Sequence, residues 1–535
     1  MDPLRRAARR DPLGPAVEGI GLGGGPPLAW SWQELDGVVD ATALHLAEAG
    51  VGPGDAVATL LPPGPEVVAL LHALPRVGAL LLPLNAGWTL AELRKGLEVV
   101  GRPRLLLAPG DRVDELRSGL PRVGTVAVEE VVPGDGEAGA GEGELAASTP
   151  TDPTLRQAIP DLHSDTPVAV LLTSGSTGRP RPIPLTHGNL MASARGAADR
   201  LRLGPMDRWF ASLSPGHVGG LALLHRAAVV GACVVTRPRF DAEEFVELAL
   251  QGEVSHASLV PVMLRRVLDA AGKGPAPRGL RCVLLGGART PMPLLEEALR
   301  RRWPVALTYG LTEATSQVTT ASPDEVREWP GAVGRPLEGV SVRIGAESRS
   351  QGTGSEPDFG LESGIGSVPG RIGEILVRGS TVAPLRPWEP GAEGELPPDP
   401  PPTVYIDGQG WLHTGDLGWL DEAGVLRVTG RASDRILTGG VTVEPGEVEE
   451  VLLEHPAVAE VGVVGLPDPE WGERIAAGVI PSASYPPPDP TMLLDFAGAR
   501  LASARRPRTL KILKALPRNA NGKLDRERLR GLLQS

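Results

Sequence analysis

Residues 168–189 read VAVLLTSGSTGRPRPIPLTHGN, and this stretch decides the fold. A short apolar run, VAVLL, has the length and β-branched content of a buried strand. It passes directly into Thr173, Ser174, Gly175, Ser176, Thr177 and Gly178. Small residues and glycines let backbone N–H groups crowd around an anion, and the hydroxyls add further donors. Arg179 and Arg181 follow with positive charge. The loop is not a Walker A element, because G-x-x-x-x-G-K-[ST] is absent. A strand running into such a turn predicts a phosphate-binding loop in an α/β protein.

The segments on either side repeat that rhythm. Toward the N-terminus, residues 30–50 form an amphipathic pattern ending in Gly. AVATLLP then reads as a buried strand, and EVVALLHALPRVGALLLPL as helix then strand. Toward the C-terminus, GGLALLHRAAVVGACVV, VSHASLVPVMLRRVLDAAG, GLRCVLLGG and PVALTYG continue it up to about residue 340. Alternation of this kind implies parallel sheets flanked by helices. The last 105 residues differ, with a helix (EPGEVEEVLLEH), two strands (VAEVGVVGLP and RIAAGVIP) and another helix (TMLLDFAGARLAS). We therefore expect an α/β protein with a large N-terminal part of parallel βα layers, residues 1–430, and a small α+β C-terminal part, residues 431–535. Three tracts, about 129–165, 345–370 and 386–402, read as flexible insertions. The first opens with six acidic residues and no basic one across 129–145, the second is Gly/Ser-rich and the third Pro-rich.

Composition narrows the function. The chain has 535 residues, a formal net charge of −12, 69 glycines and 55 prolines. Residues 431–535 are charge-neutral, so the N-terminal part carries the whole excess. An acidic chain of this kind is no general nucleic-acid binder. Two cysteines, Cys233 and Cys282, lie in apolar runs. They exclude a disulfide framework, offer no zinc-type pairing, and read as core thiols. The N-terminus has basic residues but no apolar h-region, and no apolar run reaches membrane-spanning length. A reduced cytoplasmic protein without a membrane span is expected; the sequence leaves self-association open.

The loop at 173–178 resembles the signature loop of the adenylate-forming enzymes, which comprise acyl- and aryl-CoA synthetases, luciferases and peptide-synthetase adenylation domains. One departure is that the usual Lys-Gly is here Arg181-Pro182. Further motifs recur in the family's order over nearly the whole chain. Gly286-Gly287-Ala288 resembles the adenine-contacting turn, and Tyr309-Gly310-Leu311-Thr312-Glu313 the central nucleotide motif. Residues 411–418, WLHTGDLG, resemble the ribose motif. Residues 430–434, GRASD, resemble the interdomain hinge, and Gly439-Gly440 the loop after it. Residues 517–523, PRNANGK, resemble the catalytic-lysine motif. The resemblance implies a β-barrel-like lobe within the N-terminal domain, residues 1–430, and a small mobile C-terminal domain, residues 431–535. It also implies ATP, Mg²⁺ and coenzyme A acting with a small carboxylic acid. It gives Glu313 to the metal, Thr312 to the α-phosphate, Tyr309 to adenine, Asp416 to the ribose hydroxyls and Arg431 to ribose or phosphate. Lys523 would bridge the carboxylate and α-phosphate in the first half-reaction. Ser433 matches the hinge pivot, with Asp434 adjacent, and Gly439 and Gly440 would border the pantetheine tunnel.

Within that family, residues 212–235, SLSPGHVGGLALLHRAAVVGACVV, and 309–320, YGLTEATSQVTT, resemble the o-succinylbenzoate–CoA ligases of menaquinone biosynthesis. Such an acid has one carboxylate to activate and a spectator benzoate that asks for a buried cation. Arg226 offers a bidentate fork. Nine residues before it, His217 would line the same pocket, and Ser316, Gln317 and Thr320 would hydrogen-bond the acid. The alternatives are a CoA ligase for another aryl or medium-chain acid, or a non-catalytic nucleotide-binding homologue.

Overall fold

The computed structural model describes residues 2–22, 27–133, 162–174, 180–345, 370–385, 404–483, 485–519 and 523–535. The expected insertions 345–370 and 386–402 fall almost wholly outside this set. The first tract lies outside it from residue 134 to 161, while Val131 and Val132 at its start are buried.

Two sheets form the large part. A six-stranded sheet joins Ala56–Thr59, Leu80–Pro83, Leu105–Ala108 and Thr125–Ala127 in parallel. It also carries the strand Pro167–Ser174, predicted from VAVLL, whose partner Pro180–Thr186 returns antiparallel. A nine-stranded sheet has a parallel centre of Arg208–Ala211, Cys233–Thr236, His256–Leu259, Cys282–Leu285 and Val305–Leu311. One core takes residues from both sheets, including Val57, Leu81, Trp209, Val234 and Leu284. It also takes the apolar faces of helices Trp32–Glu48, Pro65–Arg76, His187–Leu201 and Val218–Val230. These helices therefore lie between the sheets. Helices packed on the far side of each sheet complete a layered α/β body.

Local chemistry explains where the helices begin. Ser31 and Glu34 form a reciprocal capping box at the first of the long helices, and Thr186 and Asn189 do the same at the helix that follows the strand Pro180–Thr186. Each cap satisfies two otherwise unpaired donors, and losing one costs about 1 kcal/mol. Asn189 also donates from Nδ2 to the carbonyls of Ser380 and Val382 at 2.8 and 3.0 Å. That bond ties the helix to the third sheet.

The third sheet is antiparallel. It joins Val340–Ile344, Gly373–Gly379, Leu412–Leu420, Tyr405–Ile406 and Leu426–Arg431, and shares a core with Tyr309, Leu311 and Val318 of the nine-stranded sheet. A fourth, five-stranded sheet lies in the tail, built on the long hairpin Val458–Asp468 and Gly472–Pro481. Its two core clusters contain no residue before Ile436. Cys233 and Cys282 are free and buried. Burial pushes both thiols up to about 12, as inert core thiols require. Among the described residues no helix is long and apolar enough to cross a membrane.

Candidate active site

The site is assembled from loops at the ends of the central strands. The strand Val305–Leu311 turns through a short 3-10 helix, Thr312–Ala314, and returns as Ser316–Ala321. Thr315 and Ser316 both take positive φ, 53° and 89°. Thr315 is anchored on both sides: Ser193 Oγ donates to its carbonyl at 2.6 Å, and its own hydroxyl donates to the Thr381 carbonyl at 2.7 Å. Gly310 is required by packing, since a Cβ there would lie 1.8 Å from the Ser316 carbonyl oxygen. The tight return holds Glu313 in place, nearly buried and without an ion pair among the described residues. Burial raises its pKa most. Arg431 and Arg181 pull it down, and Asp416 pushes it up. A buried carboxylate with only distant cations is suited to a metal ion. Magnesium takes one or two carboxylates and completes its shell with phosphate oxygens and water, which this single side chain fits.

Tyr309, Asp416 and Arg431 form the next unit. Asp416 and Arg431 face each other across two antiparallel strands. Tyr309 Oη donates to Asp416 Oδ2 at 2.8 Å, and Arg431 Nε donates to Oδ1 at 2.7 Å. The Asp416 backbone N–H is fixed by Thr414 Oγ1 at 3.1 Å, and Thr414 in turn donates to the Ile375 carbonyl. Burial, then the Asp416 charge, holds the Tyr309 phenol far above its usual value, so it remains a donor. Asp416 is thus rigid and oriented, as a group accepting paired ribose hydroxyls must be.

Lys523 reaches this cleft from the C-terminal part. Its backbone is held in a turn by Asn519, which accepts from the Lys523 N–H at 3.0 Å. The residue as a whole is exposed, but its Cε would lie 4.0 Å from a Cβ at Gly287. Burial at the cleft lowers the ammonium pKa first and the Arg431 charge lowers it further, while Asp416 and Glu313 act in the opposite sense. A second bridge between the two parts joins Arg289, beside the adenine-type turn, to Glu450 at 2.6 Å. The chain crosses between them at Ala432–Asp434. Asp434 accepts from Arg526 Nε at 3.2 Å, while Arg431 remains bound to Asp416, leaving the exposed Ser433 between two anchored neighbours. Gly439 and Gly440 both have positive φ, and a Cβ on Gly439 would lie 2.7 Å from the Trp471 ring.

His217 caps the helix Val218–Val230, its Nδ1 accepting from the Gly219 N–H at 3.1 Å. Burial, then the Lys523 charge, pulls its pKa down to about 4. The ring is therefore neutral, and because Nδ1 accepts, Nε2 carries the proton. Arg226 lies on the same helix, nine residues beyond this capping residue. His217 senses Lys523, whereas Arg226 packs over Trp209 at 5.2 Å and senses Cys282. Arg226 is 2% exposed, makes no hydrogen bond or ion pair with any described residue, and its Nε is enclosed without a partner. Burial lowers its pKa to about 10. The same helix packs on Ser316–Ala321, where Gln317 Nε2 donates to Thr320 Oγ1 at 2.7 Å.

Gly286 and Gly287 follow the strand Cys282–Leu285. Thr173 and the backbone of Ser174 close the strand Pro167–Ser174. Gly175, Ser176, Thr177 and Gly178 lie outside the described residues. Arg181 Nη1 donates to the Val404 carbonyl at 3.0 Å. Thr308 and Arg289 were not singled out in the sequence, and Asp434 was noted only as the neighbour of Ser433 in the hinge motif. Their roles arise from pairing across strands and domains.

Comparison with known proteins gives the family. The AMP-binding enzyme family matches residues 4–385, and the AMP-binding enzyme C-terminal domain matches residues 447–523. A 2-succinylbenzoate–CoA ligase of Bacillus thuringiensis subsp. konkukian is 35% identical over 505 residues, 94% of each chain. The o-succinylbenzoate CoA synthetase MenE of Bacillus subtilis, solved with the acyl-adenylate intermediate OSB-AMP, superposes with a TM-score of 0.80. It is 30% identical, with 99% of this chain and 98% of that one covered. ATP-bound MatB of Rhodopseudomonas palustris reaches a TM-score of 0.82 at 26% identity, with 99% and 98% covered. The chain belongs to the AMP-binding enzyme family, the adenylate-forming enzymes, and within it to the kindred of the 2-succinylbenzoate–CoA ligases.

Proposed function

We propose that the protein converts o-succinylbenzoate, ATP and coenzyme A to o-succinylbenzoyl-CoA, AMP and diphosphate, a cytoplasmic reaction of menaquinone biosynthesis. The observation that carries the choice of acid is Arg226, an enclosed guanidinium with no counter-charge among the described residues. An isolated buried cation is costly unless an anion joins it. A ligand with a second, unreactive carboxylate supplies that anion. A simple fatty acid does not.

In the first half-reaction the succinyl carboxylate oxygen attacks the α-phosphorus, and the bond to diphosphate breaks. Both reactants are anions, so positioning and charge stabilisation do the work. Thr173, Ser174, Gly175, Ser176, Thr177 and Gly178 hold the phosphates. Gly286, Gly287, Ala288, Tyr309 and Gly310 receive adenine, Asp416 and Arg431 the ribose, and Thr312 the α-phosphate. Glu313 holds Mg²⁺, which supplies charge neutralisation to the phosphate oxygens. Lys523 places a compact ammonium between carboxylate and α-phosphate. His217, Ser316, Gln317 and Thr320 line the acid subsite, with Arg226 on the spectator carboxylate.

In the second half-reaction the CoA thiol attacks the acyl carbon, loses its proton, and AMP leaves. Residues 431–535 form the mobile unit that turns about Ser433 against residues 1–430, bringing Gly439 and Gly440 to the pantetheine path. The test is thioester formation from ATP, Mg²⁺, CoA and o-succinylbenzoate beside a panel of aryl and medium-chain acids. A higher kcat/KM for any other acid refutes the assignment.

A further inference from the structure

The strand that leads into the nucleotide motif carries a residue that touches both halves of the site. Thr308 Oγ1 donates to the Thr319 carbonyl at 2.7 Å. With its proton committed there, the 3.1 Å contact between the Thr308 and Thr320 hydroxyls has one consistent direction, Thr320 donating. The Thr320 oxygen then receives Gln317 Nε2 at 2.7 Å. A flipped amide would set Oε1 against an oxygen with no proton to give. The relay therefore fixes the Gln317 amide with Nε2 toward Thr320 and leaves Oε1 as an enclosed acceptor without a partner among the described residues. On its other branch, the Thr308 methyl Cγ2 lies 2.9 Å from where a Cβ on Gly286 would stand, so it floors the adenine-type turn.

We infer that Thr308 is a positioning residue with two separable outputs: its hydroxyl orients Gln317 for the acid, and its methyl supports the turn that receives adenine. The first output rests on the reading of Gln317 as part of the acid subsite. The two functions sit on different atoms of one side chain, so conservative substitutions divide them. Thr308→Val keeps the shape and deletes the hydroxyl. Thr320 loses its acceptor and the Gln317 amide loses its orientation. Thr308→Ser keeps the hydroxyl and deletes the methyl.

The experiment is ATP–diphosphate exchange by the full chain, with KM measured separately for acid and for ATP. The expected result for Thr308→Val is an acid KM raised about tenfold, the loss of one oriented hydrogen bond, with the ATP KM within twofold. For Thr308→Ser the ATP KM rises a few-fold and the acid KM stays within twofold. Gln317→Leu raises the acid KM, and adding Thr308→Val to it raises the KM no further, because both act through one amide. A Thr308→Val protein whose two KM values move together, or do not move, overturns the proposal, as does additivity with Gln317→Leu. If the unaltered chain exchanges with another acid but not with o-succinylbenzoate, the acid assignment fails alone. The same variants then decide the role of Thr308 with the active acid.

Discussion

Replacing Arg226 with Met should make the ligand-free protein more stable and a far poorer enzyme. The guanidinium is enclosed, and burial lowers its pKa from the ordinary arginine value to about 10. At about 1.36 kcal/mol per pKa unit, holding this charge costs roughly 3 kcal/mol. The stacking over Trp209 returns about 1 kcal/mol of that. Met fills much of the same volume with a flexible apolar chain. A net stabilisation of about 2 kcal/mol follows, seen as a rise of a few degrees in the melting temperature without ligands. Function moves the other way. Removing one partner of a buried, hydrogen-bonded charge pair costs about 2–5 kcal/mol of binding, so the o-succinylbenzoate KM should rise by about a hundredfold while the ATP KM holds. Thermal melts with and without acid, together with diphosphate exchange over both substrates, measure these effects. The acid should raise the melting point of the parent and leave that of Arg226→Met unchanged. A variant that is less stable than its parent and keeps its acid KM would refute the reasoning, because Arg226 would then be an ordinary packing residue.

Lys523→Ala should lower acyl-adenylate formation by about 10²–10³, the usual cost of removing one stabilising donor. It should spare thioester formation from supplied acyl-adenylate; equal losses in both steps would contradict the placement beside Gly287. Tyr309→Phe removes the 2.8 Å bond to Asp416 and should raise the ATP KM several-fold with little change in the acid KM, checked by the same exchange assay. His72 is fully enclosed with its pKa lowered to about 4 from 6.5. The unfolded chain binds a proton there between those values and the folded chain does not, so stability falls as pH drops from 6.5 toward 4. Urea melts across that window should show a shallower slope in His72→Leu.

Local pattern made the turns at the ends of apolar strands legible, whereas the roles given to Thr312, Glu313, Asp416 and Lys523 came from the resemblance of their motifs to the adenylate-forming enzymes. The strand over Pro167–Ser174 and the helices over Trp32–Glu48 and Pro65–Arg76 follow the predicted pattern closely. Side-chain direction was less legible. His217 precedes its helix as the cap, so helical spacing to Arg226 says nothing about where its ring points. Pairings between distant segments were hidden as well. Asp416 meets Arg431 through strand register, Tyr309 meets Asp416 across 107 positions, and Thr308 gains its part only when Ser316–Ala321 folds back against it. Local pattern carries no information about such partners.

The crossing between the two parts has a consequence for how the enzyme changes state. Arg431 is fastened on one side and Asp434 on the other, so only Ala432 and Ser433 remain between fixed points, with four soft backbone torsions. The tail's own apolar clusters begin at Ile436 and take nothing from the larger body. Reorientation therefore separates charges and leaves those cores intact. The Arg289–Glu450 pair is half exposed, which makes it weak and sensitive to ions in solution. The step between the two half-reactions should accordingly respond to ionic strength more than to temperature, as a switch built from screened charge rather than from buried oil.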